Sequence, residues 1–169
     1  MNLANAKKIS IVGNSGAGKS TLSKELGKTL LLEVYSIDKI FWLPGWKLRD
    51  KKSFEEYHRK WLKNDSWLIE GVGYWNEMER RLAKSDIIIF LDVSIDLCIA
   101  RADMRIENEH ISPNNDITQG CVYTDVKHLQ MQAIVNFHHT LRPKLIKCLS
   151  RLNIDKVKII NSSDELMYK

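Results

Sequence analysis

The sequence predicts an α/β fold, a five-stranded parallel sheet with helices on both faces. Three observations carry this. Short apolar runs alternate with stretches of helical spacing along the whole chain. The run from Asp86 to Asp92 is apolar almost throughout, as a strand covered on both faces must be. A glycine-rich segment, Gly13 to Thr21, separates the first strand from the first helix. At 169 residues one domain is expected, long enough to bury a core of its own.

Lys8-Ile9-Ser10-Ile11-Val12 is a β-branched run suited to a buried strand, and Leu22, Leu26 and Leu30 recur every fourth residue on the helix behind it. Leu31 to Ser36 reads as the second strand. Ile37 to Asp50 reads as a loop, because Pro44-Gly45 makes a long strand there improbable. Ser53 to Asn64 is amphipathic, with Phe54, Tyr57 and Trp61 on one side and Ser53 with Glu56 as a capping box. Trp67-Leu68-Ile69 is the third strand, Trp75 to Lys84 a charged helix, and Asp86 to Asp92 the fourth strand. Ile95, Cys98, Ala102 and Ile106 mark a helix from Ile95 to about Glu107, and polar residues from Asn108 to Gly120 end it in what reads as a mobile loop. From Thr124 a stripe of Val126, Leu129, Ala133, Phe137, Leu141, Leu145, Cys148 and Leu152 predicts a long helix that Pro143 kinks or divides. Lys156 to Ile160 is the last strand, leading through Asn161-Ser162-Ser163 into a short terminal helix.

The 26 Lys and Arg against 21 Asp and Glu leave a formal charge of +5. The basic residues are scattered among acidic ones, so a nucleic-acid surface is possible but not favoured, and phosphate-bearing small ligands explain the balance equally well. No apolar stretch approaches the roughly 18 residues of a membrane span, and no signal-peptide pattern opens the chain. Cys98, Cys121 and Cys148 are too widely spaced for a zinc pattern and fit reduced structural thiols. A cytoplasmic protein without a membrane partner is expected.

Gly13-Asn14-Ser15-Gly16-Ala17-Gly18-Lys19-Ser20, followed by Thr21, fits G-x-x-x-x-G-K-[ST] in the order strand, loop, helix. Glycines allow consecutive amides to turn inward around a polyanion, and the helix N-terminus adds its dipole. Gly13, Ser15, Gly16, Ala17, Gly18, Lys19, Ser20 and Thr21 are therefore the candidate ATP-binding residues. Lys19 would bridge the β- and γ-phosphates, with the Ser20 hydroxyl on a Mg²⁺.

In a parallel sheet the loops after the strands gather at one edge, where Asp38, Glu70 and Asp92 all fall. Each could reach a phosphate-bound Mg²⁺ or accept a proton from an acceptor hydroxyl. Asp92 before Val93-Ser94 also fits a turn or cap residue. Glu70, with Ser20, is the candidate metal ligand, and Glu70-Gly71 lies where an acceptor would sit. Asp38 is the candidate to orient or deprotonate the acceptor. Arg101 and Arg105, one helical turn apart, can converge on charge that develops during phosphoryl transfer. Arg81 and Arg142 are weaker candidates, Arg81 toward the substrate. Trp42 and Trp46 are candidates to line an acceptor pocket, whereas Trp61 and Trp67 read as packing residues. The acceptor region is about 37–65 and the lid about 106–123. His138-His139 point in different directions on a helix and give no metal site.

Gly13 to Thr21, Glu70-Gly71, Leu91-Asp92-Val93 and Ile99-Ala100-Arg101 with Arg105 resemble the nucleoside-monophosphate-kinase-like phosphate-binding-loop (P-loop) kinases. More narrowly, Ser36-Ile37-Asp38-Lys39-Ile40-Phe41-Trp42 with Pro44-Gly45-Trp46, and Trp67-Leu68-Ile69-Glu70-Gly71, resemble the bacterial adenylate-kinase-related group labelled DNA topology modulation proteins. The resemblance implies a three-layer P-loop NTPase fold with strand order 2-3-1-4-5, an ATP-binding core and an arginine-bearing lid. Val72-Gly73-Tyr74-Trp75 lacks the Phe-Pro-Arg that adenylate kinases set against a monophosphate, and Asp38 stands where related small-molecule kinases keep an acid against the acceptor hydroxyl. The expected activity is Mg²⁺-dependent transfer of the ATP γ-phosphoryl group to a small acceptor, nucleotide-like or hydroxyl-bearing. A nucleotide-dependent DNA-binding regulator and a slow NTPase remain alternatives.

Overall fold

The computed structural model describes residues 3–111 and 116–161. Its main sheet has five parallel strands: β1 (Lys8–Gly13), β2 (Val34–Ser36), β5 (Trp67–Glu70), β6 (Ile87–Leu91) and β7 (Val157–Ile160). They lie in the order β2-β5-β1-β6-β7, so the second, third, first, fourth and fifth strands stand side by side, as the resemblance implied. Between them run α1 (Lys19–Leu30), α2 (Ile37–Phe41), α3 (Lys51–Trp61), α4 (Trp75–Lys84), α5 (Ile95–Glu107), α6 (Lys127–Asn136) and α7 (Arg142–Leu149). A two-stranded hairpin, β3 (Trp42–Leu43) with β4 (Lys47–Leu48), stands apart from the sheet.

Alternation along the central strands divides the core. Ile9 and Ile11 of β1 and Ile87, Ile89 and Leu91 of β6 face Leu22 of α1, Cys98 and Ala102 of α5 and Ile134 of α6. Val12, Ile88 and Phe90 face the other way, against Met78 and Leu82 of α4 and Leu145 and Leu149 of α7. A strand covered on both faces has no solvent side, which is why β6 is apolar at every position. The one polar residue inside β1, Ser10, meets Ser85 Oγ at 2.8 Å, and Ser85 in turn donates to Arg81 O. A third cluster places Phe54 of α3 and Ile37 and Ile40 of α2 over Trp67 and Ile69 of β5.

Several boundaries differ from expectation for local reasons. The second strand starts at Val34 because Leu31, at φ 55°, caps α1 in the left-handed region and Leu32 N–H donates to Gly27 O. The segment 37–50 is not a loop: Ile37 and Ile40, three apart, bury one side of α2, and Pro44-Gly45 forms the tip of the hairpin. Gly45 and Trp46, at φ 72° and 58°, supply the turn geometry. Helix α3 begins at Lys51 because Asp50, not Ser53, is its N-cap; the Asp50 carboxylate accepts the Ser53 amide at 2.9 Å, so no Ser53–Glu56 box opens the helix. The long helix is divided as anticipated, by a π-helical turn at Phe137–Leu141 just before Pro143. The terminal helix expected after Ser162 lies outside the described residues.

Helices α3 and α4 are joined through a buried polar pair. His58, fully buried, lies 3.0 Å from Glu77 Oε2 through its Nδ1, and Arg59 and Arg80 reach the other oxygen of the same carboxylate at 3.7 and 3.5 Å. Burial first, then the nearby Arg81 charge, pulls the His58 imidazole down to about 4, against the raising effect of Glu77. The ring is therefore neutral at pH 7, whereas in the unfolded chain it protonates near pH ~6.5. Between those values the unfolded state binds more protons, so stability falls as pH drops from about 6.5 to 4, by roughly 3 kcal/mol in total. The His58 ring resonances should show no protonation above pH ~5 by NMR. A midpoint near 6.5 in the folded protein would contradict this.

Candidate active site

The parallel register brings the C-terminal strand ends together: Gly13 lies beside Leu91, Ile11 beside Glu70, and Glu70 beside Ser36. The glycine-rich loop, the β2–α2 turn and the Glu70-Gly71 turn thus open on one edge. There they border a cleft of about 530 Å³.

The loop is built from inside and held from outside. Ala17 N–H and Lys19 Nζ both donate to Asn14 O, at 3.2 and 2.8 Å. Gly16 sits at φ 79°, and a side chain there would begin 2.3 Å from Cys98 O, so only glycine fits against α5. Gly18, at φ 95°, stands at the N-cap of α1 without a capping side chain, leaving the first helical amides toward the cleft. From outside, Asn14 Nδ2 donates to Ile134 O, while Ser15 Oγ accepts Gln130 Nε2 at 2.6 Å and Arg105 Nη2 at 3.3 Å.

The cleft brings together most of the residues expected from sequence. Ser15, Gly16, Gly18, Lys19, Ser20 and Thr21, with Asp38, Glu70 and Arg101 and Arg105 of α5, all line it. Arg101 Nη1 lies 4.0 Å from where a Gly18 side chain would begin. Ser20 Oγ points at Glu70 Oε1 across 3.5 Å. Glu70 is only 2 % exposed, and burial, with Asp38 and Asp116 nearby, pushes its carboxyl up against the opposing pull of Lys19. Burial likewise pushes Asp38 up, offset by Lys19 and Arg105. A hydroxyl and a desolvated carboxylate facing each other suit a small hard cation, which takes few protein ligands and completes its shell with phosphate oxygens and water. The donor set therefore fits Mg²⁺.

Other expected residues lie elsewhere. Gly13 and Ala17 pack below the loop: a side chain on Gly13 would meet Leu91 O at 2.7 Å, and Ala17 is fully buried. Arg81 is fully buried behind Gly71, whose carbonyl accepts its Nη2; burial lowers its pKa to about 10, countered by Glu70, so it stays charged. Arg81 and Gly71 shape the turn that carries Glu70 but do not line the cleft. Arg142 is bound to Asp92, donating through Nε and Nη2 at 2.6 and 2.7 Å, which ties β6 to α7 and occupies that carboxylate. Ser94, not Asp92, caps α5.

Trp42 and Trp46 also stand outside the cleft lining, where they pack on one another with centroids 5.4 Å apart and against Ile117, Cys121 and Tyr123. Trp46 Nε1 donates to Val122 O at 2.7 Å, Gly45 N–H to Gly120 O at 2.9 Å, Thr118 Oγ1 to Trp42 O at 2.7 Å and Cys121 Sγ to Leu43 O at 3.3 Å. The hairpin thus holds segment 116–123 in place, and that segment supplies residues the sequence reading overlooked. Asp116 meets Lys24 Nζ at 2.8 Å, Ile117 lines the wall, and Tyr123 lies under the Arg105 guanidinium at 4.0 Å. Asp116 stood in the stretch expected as a mobile loop and lid, but was not itself singled out, because no spacing rule marks an acid that reaches its site through tertiary contacts.

No protein-family model and no curated protein matches the chain. Solved structures do. The shikimate kinase from Bacteroides thetaiotaomicron matches with a TM-score of 0.51 at 17% identity, over 93% of this chain and 86% of that one. The shikimate kinase from Aquifex aeolicus vf5 gives 0.52 at 13%, over 95% and 93%. A gluconokinase from Sinorhizobium meliloti 1021 gives 0.50 at 11%, over 93% and 83%. The chain therefore has the P-loop kinase fold.

Trp46→Ala removes both the Val122 bond and the ring packing. Amide hydrogen exchange in peptides covering 42–48 and 116–124 should rise about tenfold or more, with the amides of β1 and β6 unchanged. Undiminished protection of 116–124 would show that the hairpin does not hold it.

Proposed function

We propose that the protein transfers the γ-phosphoryl group of ATP to a small acceptor, with catalysis by positioning and charge stabilisation. The observation that carries this reading is the convergence of Lys19, Ser20, Asp38, Glu70, Arg101 and Arg105 on one cleft at the mouth of a glycine loop. The likeness in fold to kinases of shikimate and gluconate supports small-molecule phosphoryl transfer. The narrower likeness of segments 36–46 and 67–71 to the topology modulation group agrees with an adenylate-kinase-related core and leaves the acceptor open.

In this reading the loop amides and Lys19 hold the triphosphate, and Arg101 and Arg105 meet the charge that spreads over the moving phosphoryl oxygens. Asp38 orients the acceptor hydroxyl and takes its proton, a role for which a carboxyl raised by burial is suited. Ser20 and Glu70 would hold Mg²⁺, which supplies neutralisation of the β- and γ-phosphates. Arg81, from behind, keeps the Gly71 carbonyl and so the Glu70 backbone in place. Among the described residues no helix is long and apolar enough to cross a membrane.

Lys19→Ala should lower acceptor-dependent ADP formation by about a hundredfold or more while leaving the thermal midpoint within a few degrees. Asp38→Asn should lower kcat more than it alters the KM for ATP. Undiminished phosphoryl transfer in Lys19→Ala would overturn the reading.

A further inference from the structure

The cleft carries both signs of charge, Lys19, Lys24, Arg101 and Arg105 beside Asp38, Glu70 and Asp116. Its cations lean on the glycine loop or are already matched. Lys19 belongs to the loop, Arg105 donates to Ser15 Oγ and covers Tyr123, Arg101 lies beside Gly18, and Lys24 meets the Asp116 carboxylate at 2.8 Å. The cleft's carboxylates come from three separate places: Asp38 from α2, Glu70 from the end of β5 and Asp116 from the segment the hairpin holds.

The cations that a negatively charged acceptor would need are turned elsewhere. Arg81, ten residues after Gly71, is fully buried and donates through Nη2 to the Gly71 carbonyl. Arg142 is bound bidentately to Asp92. Arg49 donates through Nε to Ile40 O at 2.8 Å, and its guanidinium covers the Tyr57 ring at 5.0 Å. None of these three lines the cleft.

Resting on the kinase reading above, we infer that the acceptor is an alcohol without negative charge, a neutral polyol or an amino alcohol, held by Asp38 and Asp116. Ionised carboxylates only accept hydrogen bonds, and the hydroxyls of a polyol, or an ammonium group, donate them. A phosphate or carboxylate on the acceptor would bring acceptors against acceptors and like charge against like, with Lys24 already committed to Asp116. Ile117 and the buried Tyr123 add an apolar side for the carbon frame. In the transfer the acceptor hydroxyl oxygen bonds to the γ-phosphorus of ATP, and the bond from that phosphorus to the β–γ bridging oxygen breaks. ADP departs, and the hydroxyl proton passes to the Asp38 carboxylate.

The test is an acceptor panel read by ADP release, with phosphorylated product identified by mass spectrometry. One arm contains neutral polyols and amino alcohols, the other nucleoside monophosphates and hydroxy acids. ATP binding is followed separately with a fluorescent ATP analogue on the wild type and on Lys19→Ala. The expected result is stimulation by the uncharged or cationic arm alone. Asp116→Asn, which releases Lys24 while removing a negative charge, should shift the ratio of activities toward the anionic arm by about tenfold. Equal or greater stimulation by anionic acceptors, stimulation by neither arm, or an unchanged ratio in Asp116→Asn would overturn the inference. If ATP is bound through Lys19 and consumed with an anionic acceptor, the acceptor class is wrong and the kinase reading stands. If Lys19→Ala binds ATP and forms ADP as the wild type does, the kinase reading itself has failed.

Discussion

The arrangement at the sheet edge depends on one constraint: Glu70, a carboxylate that is 2 % exposed, ends a strand buried in the middle of the fold. Such a group is tolerated only where charge or hydrogen-bond donors face it. The Lys19 charge and the Ser20 hydroxyl supply this from the loop after β1, and Ser36 supplies it from the end of β2. Since β5 lies between β1 and β2 in parallel register, the three groups can meet only at the C-terminal edge. Behind the same turn Arg81 holds the Gly71 carbonyl, and its buried charge is opposed by Glu70. Removing Glu70 would leave Arg81 as an uncompensated buried cation, so this carboxylate serves the fold as well as the cleft.

Arg105 joins the loop to the segment that closes over it. The guanidinium bonds Ser15 Oγ on one side and covers Tyr123 on the other, so the glycine loop and segment 116–123 share one charged group. Tyr123 in turn packs on Trp46 with ring centroids 4.9 Å apart, and Trp46 is fixed to Val122 O. A continuous set of contacts therefore runs from the phosphate loop to the hairpin. The aromatic character of segment 41–46 follows from this duty: large rings give a two-stranded hairpin, too small to be stable alone, enough contact area to hold another segment.

Where a residue's role is set by its neighbours in the chain, the sequence was readable. The apolar run of β6, the periodicity of α4 and α5 and the glycine loop all express local rules, and α4 and α5 start and end at the expected residues. Arg101 and Arg105 were legible because one helical turn fixes their common direction. Legibility failed where a distant partner decides. Trp42 and Trp46 looked like pocket aromatics, but the residues that cover them, 117–123, are some seventy positions further on. Asp92 read as either a metal-reaching acid or a turn or cap residue, and it is neither: Arg142, fifty residues away, donates to both its oxygens and Ser94 caps α5. The cap of α3 was misplaced for a smaller reason: Asp50 and Ser53 both suit an N-cap, and the Asp50 carboxylate accepts the Ser53 amide, so the helix already runs through Ser53.

The same distinction explains why the donor side of the cleft is easier to read than the acceptor side. The groups proposed to hold a triphosphate are largely backbone amides and one lysine, whose placement a contiguous nine-residue segment dictates. The residues proposed to hold the acceptor come from α2, β5 and segment 116–123, each carried to the cleft by a different part of the fold. Changing one of those carriers, a hairpin contact for instance, would move an acceptor group without touching the glycine loop. A fold of this kind can therefore keep its glycine loop constant while the opposite side of the cleft varies, because the loop is fixed by contiguous sequence and the other residues are brought in by separate tertiary contacts, joined to it through Lys19, Ser20 and Arg105.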